Sequence, residues 1–215
     1  INGSIEDITF QHDSPVSDRQ LHVGTDHHAV GRDLGKLLKS ALPEGGKTVL
    51  LADPIVDSDS SMRRQGLIDE LLGRERDAGF YRSSEDGWDS ADQPIEGGDF
   101  VRVTAGVTDD DEVAVANQVA KLLEGDDDIQ AIIGLLPSGV PAGVAALKDA
   151  NKLGEVKLFG FGQHTKSLVA LRDGHCDALI IEDPVALAQK LTRTFKDFIN
   201  LQRSKLPDDG YATVP

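Results

Sequence analysis

Several groups of polar residues in this chain could suggest chemistry, but none forms a complete catalytic or metal-binding set. Asp26-His27-His28 could suggest a metal site. Adjacent histidines rarely point at one ion, however, and no His-x-x-x-His spacing supports them. Glu182-Asp183 could suggest a pair of acid–base carboxylates, but neighbouring side chains diverge in direction. We therefore predict neither a metal site nor a catalytic pair at these positions.

Two glycine-containing segments match phosphate-binding loops only in part. In Glu44-Gly45-Gly46-Lys47-Thr48, the place of the first loop glycine is taken by Ala41, and the segment leads into a strand instead of leaving one. Gly160-Phe161-Gly162 follows a strand, but the third glycine of a dinucleotide loop is replaced by Thr165. No Gly-x-Ser-x-Gly elbow occurs. The sequence therefore predicts a protein that is not an enzyme and that uses no cofactor.

Composition excludes several classes of partner. The chain has 215 residues, enough to bury a core, and its formal net charge is −15. Phosphate contacts need clustered Lys and Arg, so we expect no nucleic-acid binding by this segment. No apolar run approaches the roughly 20 residues that a membrane span needs, so no membrane insertion is expected. The single cysteine, Cys176, excludes an internal disulfide and is predicted to be half-buried.

Apolar runs alternate with helix-like stretches along most of the chain. Continuous apolar strands alternating with helices are typical of parallel sheets that helices cover on both faces. In such sheets, ligands bind at the carboxyl ends of the strands. The predicted strands are residues 48–52, 100–104, 131–135, 156–161 and 178–181, and the predicted helices are 62–72, a segment containing 113–123, 141–150, 167–172 and 184–201.

One stretch interrupts this alternation. Residues 74–98 are polar, acidic and rich in Gly and Ser, and they contain the only tryptophan, Trp88. A long segment of this composition between a helix and the next strand is typical of a surface excursion. We therefore predict a surface insertion at 74–98.

The order of the segments that follow the strands resembles the type I periplasmic binding protein superfamily. That superfamily includes ribose-type sugar-binding proteins and the effector domains of lactose-repressor-like regulators. Each motif is weak alone, and the resemblance depends on their order and spacing along nearly all of the chain except 74–98. The segments are Ile8-Thr9-Phe10-Gln11-His12-Asp13-Ser14-Pro15, Val23 through Gly31, Pro43-Glu44-Gly45-Gly46-Lys47, Arg63-Arg64-Gln65-Gly66-Leu67, Val156 to Phe161 and Glu182-Asp183-Pro184.

The resemblance implies two lobes, each with a parallel sheet, that close by hinge motion on a ligand in the cleft between them. Residues 1–25 and 183–211 would form part of the first lobe, and residues 26–182 with 212–215 would form the second. Family members carry a longer first lobe, so the resemblance implies that this one is incomplete. The apolar face of the helix at 184–201 would then lack its usual sheet, and we expect a partner to cover it, self-association through the incomplete lobe included.

The resemblance also assigns ligand-binding residues one position at a time. Gln11 or Asp13 would grip sugar hydroxyls, and His27 stands where an amide often bonds the ligand. Arg63 matches the arginine of the family's cleft. Two positions depart from the family pattern, because Leu136 replaces a polar residue and Gly162 replaces an aspartate. The full candidate set is Gln11, Asp13, His27, Arg63, Gln163 and Glu182.

These expectations define one main function and two alternatives. The main expectation is a periplasmic or extracellular solute-binding protein that holds a sugar or sugar-like molecule for an ABC transporter permease or a sensor. The first alternative is the effector-binding domain of a lactose-repressor-like transcription regulator, which would be cytoplasmic. The second is a degenerate family member that acts through protein contacts.

Overall fold

The computed structural model describes residues 8–11, 19–52, 58–75, 100–106, 111–200, 205–208 and 210–214. The strands are β1 (Ile8–Phe10), β2 (Leu21–Thr25), β3 (Gly46–Ala52), β4 (Phe100–Gly106), β5 (Ile129–Gly134), β6 (Lys157–Phe161), β7 (Ala178–Ile180) and β8 (Tyr211–Val214). The helices are α1 (His27–Ala41), α2 (Ser58–Leu71), α3 (Glu112–Gly125), α4 (Gly139–Asp149), α5 (Thr165–Arg172) and α6 (Pro184–Ile199).

The strands form two parallel sheets. The larger has five strands in the order β4-β3-β5-β6-β7, and the smaller has three in the order β1-β2-β8. Every pairing between neighbouring strands is parallel. The predicted α/β class with parallel sheets flanked by helices is therefore confirmed, while the division into two lobes at residues 25/26 and 182/183 stays a prediction.

Helices cover the larger sheet on both faces. Successive strand side chains point to opposite faces, and β3 shows the pattern: Val49 and Leu51 face one core, whereas Leu50 and Ala52 face the other. The first core is closed by α3 and α4, with a contribution from Ala170 of α5. The second is closed by α1 and α2. The strands are thus buried on both sides, which is why they read as continuous apolar runs.

The α1 helix is an element that the sequence analysis did not predict. It begins after Asp26, whose side chain accepts a hydrogen bond from the backbone N–H of Ala29 and caps the helix. It crosses α2 at very close range, because both helices carry glycine at the contact. A Cβ atom at Gly31 would lie 2.0 Å from the carbonyl oxygen of Arg63, and one at Gly66 would lie 1.9 Å from that of His28.

The smaller sheet packs against α6. Leu187 and Leu191 contact a small core of buried strand side chains, among them Leu21, Val23 and Ala212. The expectation that the apolar face of this helix lacks a sheet is therefore wrong for its first half. The prediction for residues 212–215 also needs correction, because β8 pairs in parallel with β2 and places 212–214 in the smaller sheet.

Other apolar side chains of α6 remain open to solvent. Val185 is 62% exposed, Phe195 41% and Ile199 70%. An open groove of about 550 Å³ lies beside Leu191, Phe195 and Ile199. Self-association through this lobe stays a prediction.

The predicted surface insertion at 74–98 lies outside the described residues except for its first two positions. There, the backbone carbonyl of Arg74 accepts a hydrogen bond of 2.8 Å from the Arg32 guanidinium. Trp88 lies outside the described residues. In the parts of the chain that the structure describes, no helix combines the length and apolar character that a membrane crossing requires.

Replacing either crossing glycine tests the contact between α1 and α2. Gly31→Ala or Gly66→Ala forces a methyl group into backbone atoms, and we expect the free energy of unfolding to fall by at least about 2 kcal/mol. Urea unfolding measures the change. Gly125→Ala is the control, because a methyl group added at Gly125 would meet no other atom within 4 Å and should change little. Equal stability of all three variants would contradict the close crossing.

The thiol of Cys176 gives a second test, which asks whether the core between the larger sheet and helices α3, α4 and α5 excludes solvent. The residue is 3% exposed, so it is more deeply buried than predicted. Burial raises its pKa to about 11, above the value of about 8.5 in an unfolded chain. Its contribution to stability is therefore complete below about pH 8.5 and is lost as the pH rises towards 11.

We expect a thiol-reactive disulfide reagent to label Cys176 slowly at about pH 8 in the native protein and rapidly in denaturant, because the thiolate is the reactive form. Absorbance of the released thiol follows both reactions. Native labelling at the rate of the denatured protein would contradict the buried position.

Candidate functional site

The carboxyl ends of four strands of the larger sheet lie along one edge. Register places Leu51 of β3 beside Gly134 of β5, and Gly134 beside Gly160 of β6. In the same way, Phe161 of β6 lies beside Ile180 of β7. The segments 135–138, 162–164 and 181–183 therefore leave the sheet side by side, at the edge where ligands bind in parallel sheets.

The two chain connections between the sheets lie next to each other at this edge. One connection runs from Thr25, the last residue of β2, into α1, and the other runs from β7 through Glu182 into α6. The Thr25 hydroxyl donates a hydrogen bond of 2.7 Å to Oε1 of Glu182. This bond joins positions 157 residues apart, so the two connections form one structural unit between the sheets.

A buried polar cluster lies beneath this edge, and we call it the His27 cluster: His27, Asp59, Arg63, the Leu135 carbonyl and Phe161. Arg63 donates from Nε to the Leu135 carbonyl at 3.0 Å, and its Nη1 lies 2.9 Å from Nδ1 of His27. Nε2 of His27 lies 3.4 Å from Oδ2 of Asp59. The guanidinium also lies over the Phe161 ring, 4.2 Å from its centroid.

The cluster connects four elements of the larger sheet and the helices that cover it. His27 begins α1, Asp59 and Arg63 lie one turn apart on α2, and Leu135 and Phe161 stand at the ends of β5 and β6. The residues His27, Asp59 and Arg63 are each only 4% exposed. A buried charge is tolerated only when it is paired and hydrogen-bonded, and this cluster supplies such partners to Arg63.

The neighbouring residue, His28, enters a second buried cluster. Its Nε2 lies 2.9 Å from Oδ2 of Asp69, and the other carboxylate oxygen accepts from the Gln65 amide. The two adjacent histidines thus reach opposite ends of α2. Within the described segments, no group of three or more His, Cys, Asp or Glu side chains is arranged to hold a metal ion.

The structure places the predicted site residues in two kinds of position. His27 and Arg63 are buried and bonded to each other. Glu182 is bonded to Thr25 at the edge, while Gln163 is exposed in the segment after β6.

Gln11 follows β1, and its side chain is exposed. It adopts a positive φ of 65°, and its N–H donates to the Val23 carbonyl at 2.9 Å. Asp13 lies outside the described residues, so its assignment stays a prediction.

The two departures from the family pattern have local reasons. Leu136 is partly buried and packs against the core formed with α3 and α4. Gly162 has a φ of 108°, a conformation that side-chain-bearing residues rarely adopt. Its N–H donates to the Ile180 carbonyl at 2.9 Å, which holds the start of the loop against β7. A glycine thus suits the backbone that this chain has at position 162.

Sequence reasoning missed three members of the site: Thr25, Asp59 and Phe161. Asp59 and Arg63 are four residues apart, which is a recognisable helical spacing, but the predicted helix began at Met62 and left Asp59 outside it. Phe161 was predicted only as the end of a strand. Its contact with Arg63 joins elements far apart in sequence, and no local sequence pattern predicts such a contact.

Solved structures of similar fold include sugar-binding and solute-binding proteins. GanP, a glucose-galactose binding protein from Geobacillus stearothermophilus, matches with a TM-score of 0.76 at 16% identity, over 98% of this chain and 66% of its own. A solute-binding protein from Actinobacillus succinogenes 130z with bound D-allose has a TM-score of 0.73 at 16% identity, over 97% and 65%. XylFII in its complex with LytSN has 0.69 at 19%, over 91% and 63%.

This chain spans no more than 66% of the length of these three structures. At such identities, the matches show a shared fold. A search of curated protein sequences finds no significant match. A family model described as "Periplasmic binding protein domain" matches residues 5–202. On that match, the chain belongs to the periplasmic binding protein domain family.

Proposed function

We propose that this chain binds a sugar or sugar-like small molecule in a cleft between its two sheets, as a solute-binding protein for an ABC transporter or a sensor. The observation that carries the proposal is the hydrogen bond between Thr25 and Glu182. It brings the connections of both sheets together at the carboxyl-terminal edge of the larger sheet.

The polar side chains around this edge suit hydroxyl groups. Glu182 offers carboxylate oxygens that accept charge-assisted hydrogen bonds, and the amides of Gln11 and Gln163 can both donate and accept. Asp13 would add a second carboxylate. His27 and Arg63 lie beneath the edge and complete the proposed set.

The ligand would be held without chemical change. The family consists of binding proteins, and both ring nitrogens of His27 face other buried side chains, Arg63 on one side and Asp59 on the other. A paired, buried charge of this kind stabilises an arrangement of elements. It supports the proposed role of the site as a rigid wall of a binding cleft.

Hinge closure would occur about the two connections. Each ends in a helix that an aspartate caps: Asp26 accepts from Ala29, and Asp183 accepts from Val185 and Ala186. The cap fixes where each helix begins, so rotation would be confined to the few residues before it. Such short connections between rigid units are the usual hinge of domain closure.

The comparisons suggest the partners and the compartment. One neighbour was solved as a complex of XylFII with LytSN, and another is an ABC transporter solute-binding protein. By analogy, we propose a transporter permease or a sensor as the protein partner and a periplasmic or extracellular location.

A panel of monosaccharides tests the proposed function. A ligand present at about a hundredfold excess over its dissociation constant stabilises the folded state by about 2.7 kcal/mol. For a chain of this size, we expect the melting temperature to rise by about 5–10 °C. The panel contains D-glucose, D-galactose, D-allose and D-arabinose, with mannitol as an open-chain control. The absence of any shift, with calorimetry also negative, would overturn the proposal.

Single substitutions then test which residues contact the ligand. Glu182→Ala and Gln163→Ala should each weaken binding about tenfold, since each removes one hydrogen bond to a hydroxyl. Titration calorimetry measures the affinity. Gln130→Ala is the matched amide control, because Gln130 is exposed near the start of β5, at the opposite end of that strand from the edge. Unchanged affinity in both cleft variants would refute this assignment of contacts.

The bond between the two connections gives a separate prediction. Thr25→Val keeps the shape of the side chain but removes the donor to Glu182, and we expect a loss of about 1 kcal/mol in the free energy of unfolding. Urea unfolding measures it. Thr192→Val is the control, because Thr192 is exposed and donates within its own helix to the Ala188 carbonyl. A Thr25 variant as stable as the control would show that the bond contributes nothing.

A further inference from the structure

We propose that Arg63 is a positioning residue of the binding cleft, which holds the His27 ring in its Nε2–H tautomer and acts on the ligand through that ring and Phe161. The tautomer follows from geometry alone. Only the consequence for affinity rests on the proposed function.

The contact with Arg63 decides which ring nitrogen carries the proton. A guanidinium has only donors, so it cannot accept a hydrogen bond from an imidazole N–H. Nη1 of Arg63 lies 2.9 Å from Nδ1 of His27, which is hydrogen-bond distance. Nδ1 must therefore present its lone pair to the guanidinium. The proton of the neutral ring is then on Nε2.

The other side of the ring agrees with this assignment. Nε2 of His27 lies 3.4 Å from Oδ2 of Asp59, and an ionised carboxylate can only accept. The ring therefore lies between a donor and an acceptor that are one helical turn apart on α2. A histidine whose two nitrogens face groups of opposite kind is fixed in both tautomer and orientation.

Three contacts with described residues hold Arg63, and they make it suited to orient the ring. Its Nε donates to the Leu135 carbonyl at 3.0 Å, its Nη1 reaches His27, and its plane lies over Phe161. A planar guanidinium with donors in fixed directions transmits orientation, which a lysine ammonium does less well. The position of the His27 ring is thus set by the ends of β5 and β6.

The elements fixed in this way carry the proposed ligand contacts. His27 is the first residue of α1, directly after the connection at Thr25 that bonds Glu182. Phe161 ends β6, two residues before Gln163, and its ring also contacts His27 edge-on at 5.9 Å between centroids. Arg63 therefore sets the relation between the Glu182 side and the Gln163 side of the cleft while being only 4% exposed itself.

Nitrogen NMR of the ligand-free protein tests the tautomer directly. Long-range proton–nitrogen spectra of protein labelled with ¹⁵N-histidine distinguish protonated from unprotonated ring nitrogens, and His27→Asn assigns the signals. We expect an unprotonated Nδ1 and a protonated Nε2 near neutral pH. A protonated Nδ1 on His27 in the wild-type protein would overturn the proposal, and this reading requires no variant to fold.

Substitution of Arg63 tests whether its contact with His27 is what fixes the tautomer of that ring. Arg63→Met should shift the His27 spectrum away from the single tautomer, and Arg63→Lys, which keeps a donor, should restore the unprotonated Nδ1. Arg172→Met, an exposed arginine paired with Asp173, is the control and should leave His27 unchanged. If Arg63→Met does not fold, Arg63→Gln replaces it. A His27 spectrum identical to wild type in the folded variant would refute positioning by Arg63.

Affinity for a sugar that shifts the wild-type melting temperature completes the test. We expect Arg63→Met to lose at least about tenfold in affinity, as an unpaired buried acceptor produces, and Arg63→Lys to lose less. If Arg63→Met changes the tautomer of His27 but binds the sugar with unchanged affinity, the proposed action of Arg63 on the ligand is overturned. If no sugar binds the wild-type protein, the proposed function fails by itself, and the tautomer is still decided by the ligand-free spectra.

Discussion

The packing of α1 and α2 on the larger sheet depends on the requirement that a buried guanidinium be paired. Arg63 is almost fully removed from water, and an isolated charge in that position would cost several kcal/mol. Its guanidinium therefore contacts His27, the Leu135 carbonyl and the face of Phe161, and the Asp59 carboxylate lies on the far side of the His27 ring. Each partner lies on a different element or turn, so satisfying one side chain fixes how two helices meet two strand ends.

The close crossing of α1 and α2 makes this pairing possible. Glycines at the contact let the backbones approach to distances at which a methyl group would overlap a carbonyl oxygen. The approach brings His27 and His28 to opposite ends of α2, where His27 lies beside Asp59 and His28 lies beside Asp69. Removing the glycines would separate the helices, and the buried polar groups would then lose their partners. The close packing of α1 against α2 and the pairing of their buried polar groups therefore depend on each other.

The sequence predicted the elements whose signal is local. The strands of the larger sheet are continuous apolar runs, so the predictions at 48–52 and 131–135 agree with β3 and β5 to within two residues at each end. The α1 helix was missed although Val30, Leu34 and Leu38 recur at helical spacing on its buried face. The glycines between them lower helix propensity and weaken that pattern. β8 was assigned to the other lobe because four residues carry too little pattern to identify a partner strand.

In the site, too, what has a local sequence signal was predicted, and what depends on contacts between distant elements was not. Arg63 and His27 were identified from the family resemblance, but their contact with each other was not, because it depends on the depth of a helix crossing. The electrostatics of the site add a further constraint on the ligand. Arg63 and the Asp59 carboxylate lie on opposite sides of the His27 ring, and the chain as a whole carries a formal net charge of −15. The surroundings of the buried arginine are therefore unfavourable to an anion. Among the described segments at the edge, 162–164 carry Gln163 and His164, and 181–183 carry the carboxylates of Glu182 and Asp183. Carboxylates at this edge repel an anion but not a neutral polyol, which is why we propose a sugar and not an acidic solute as the ligand.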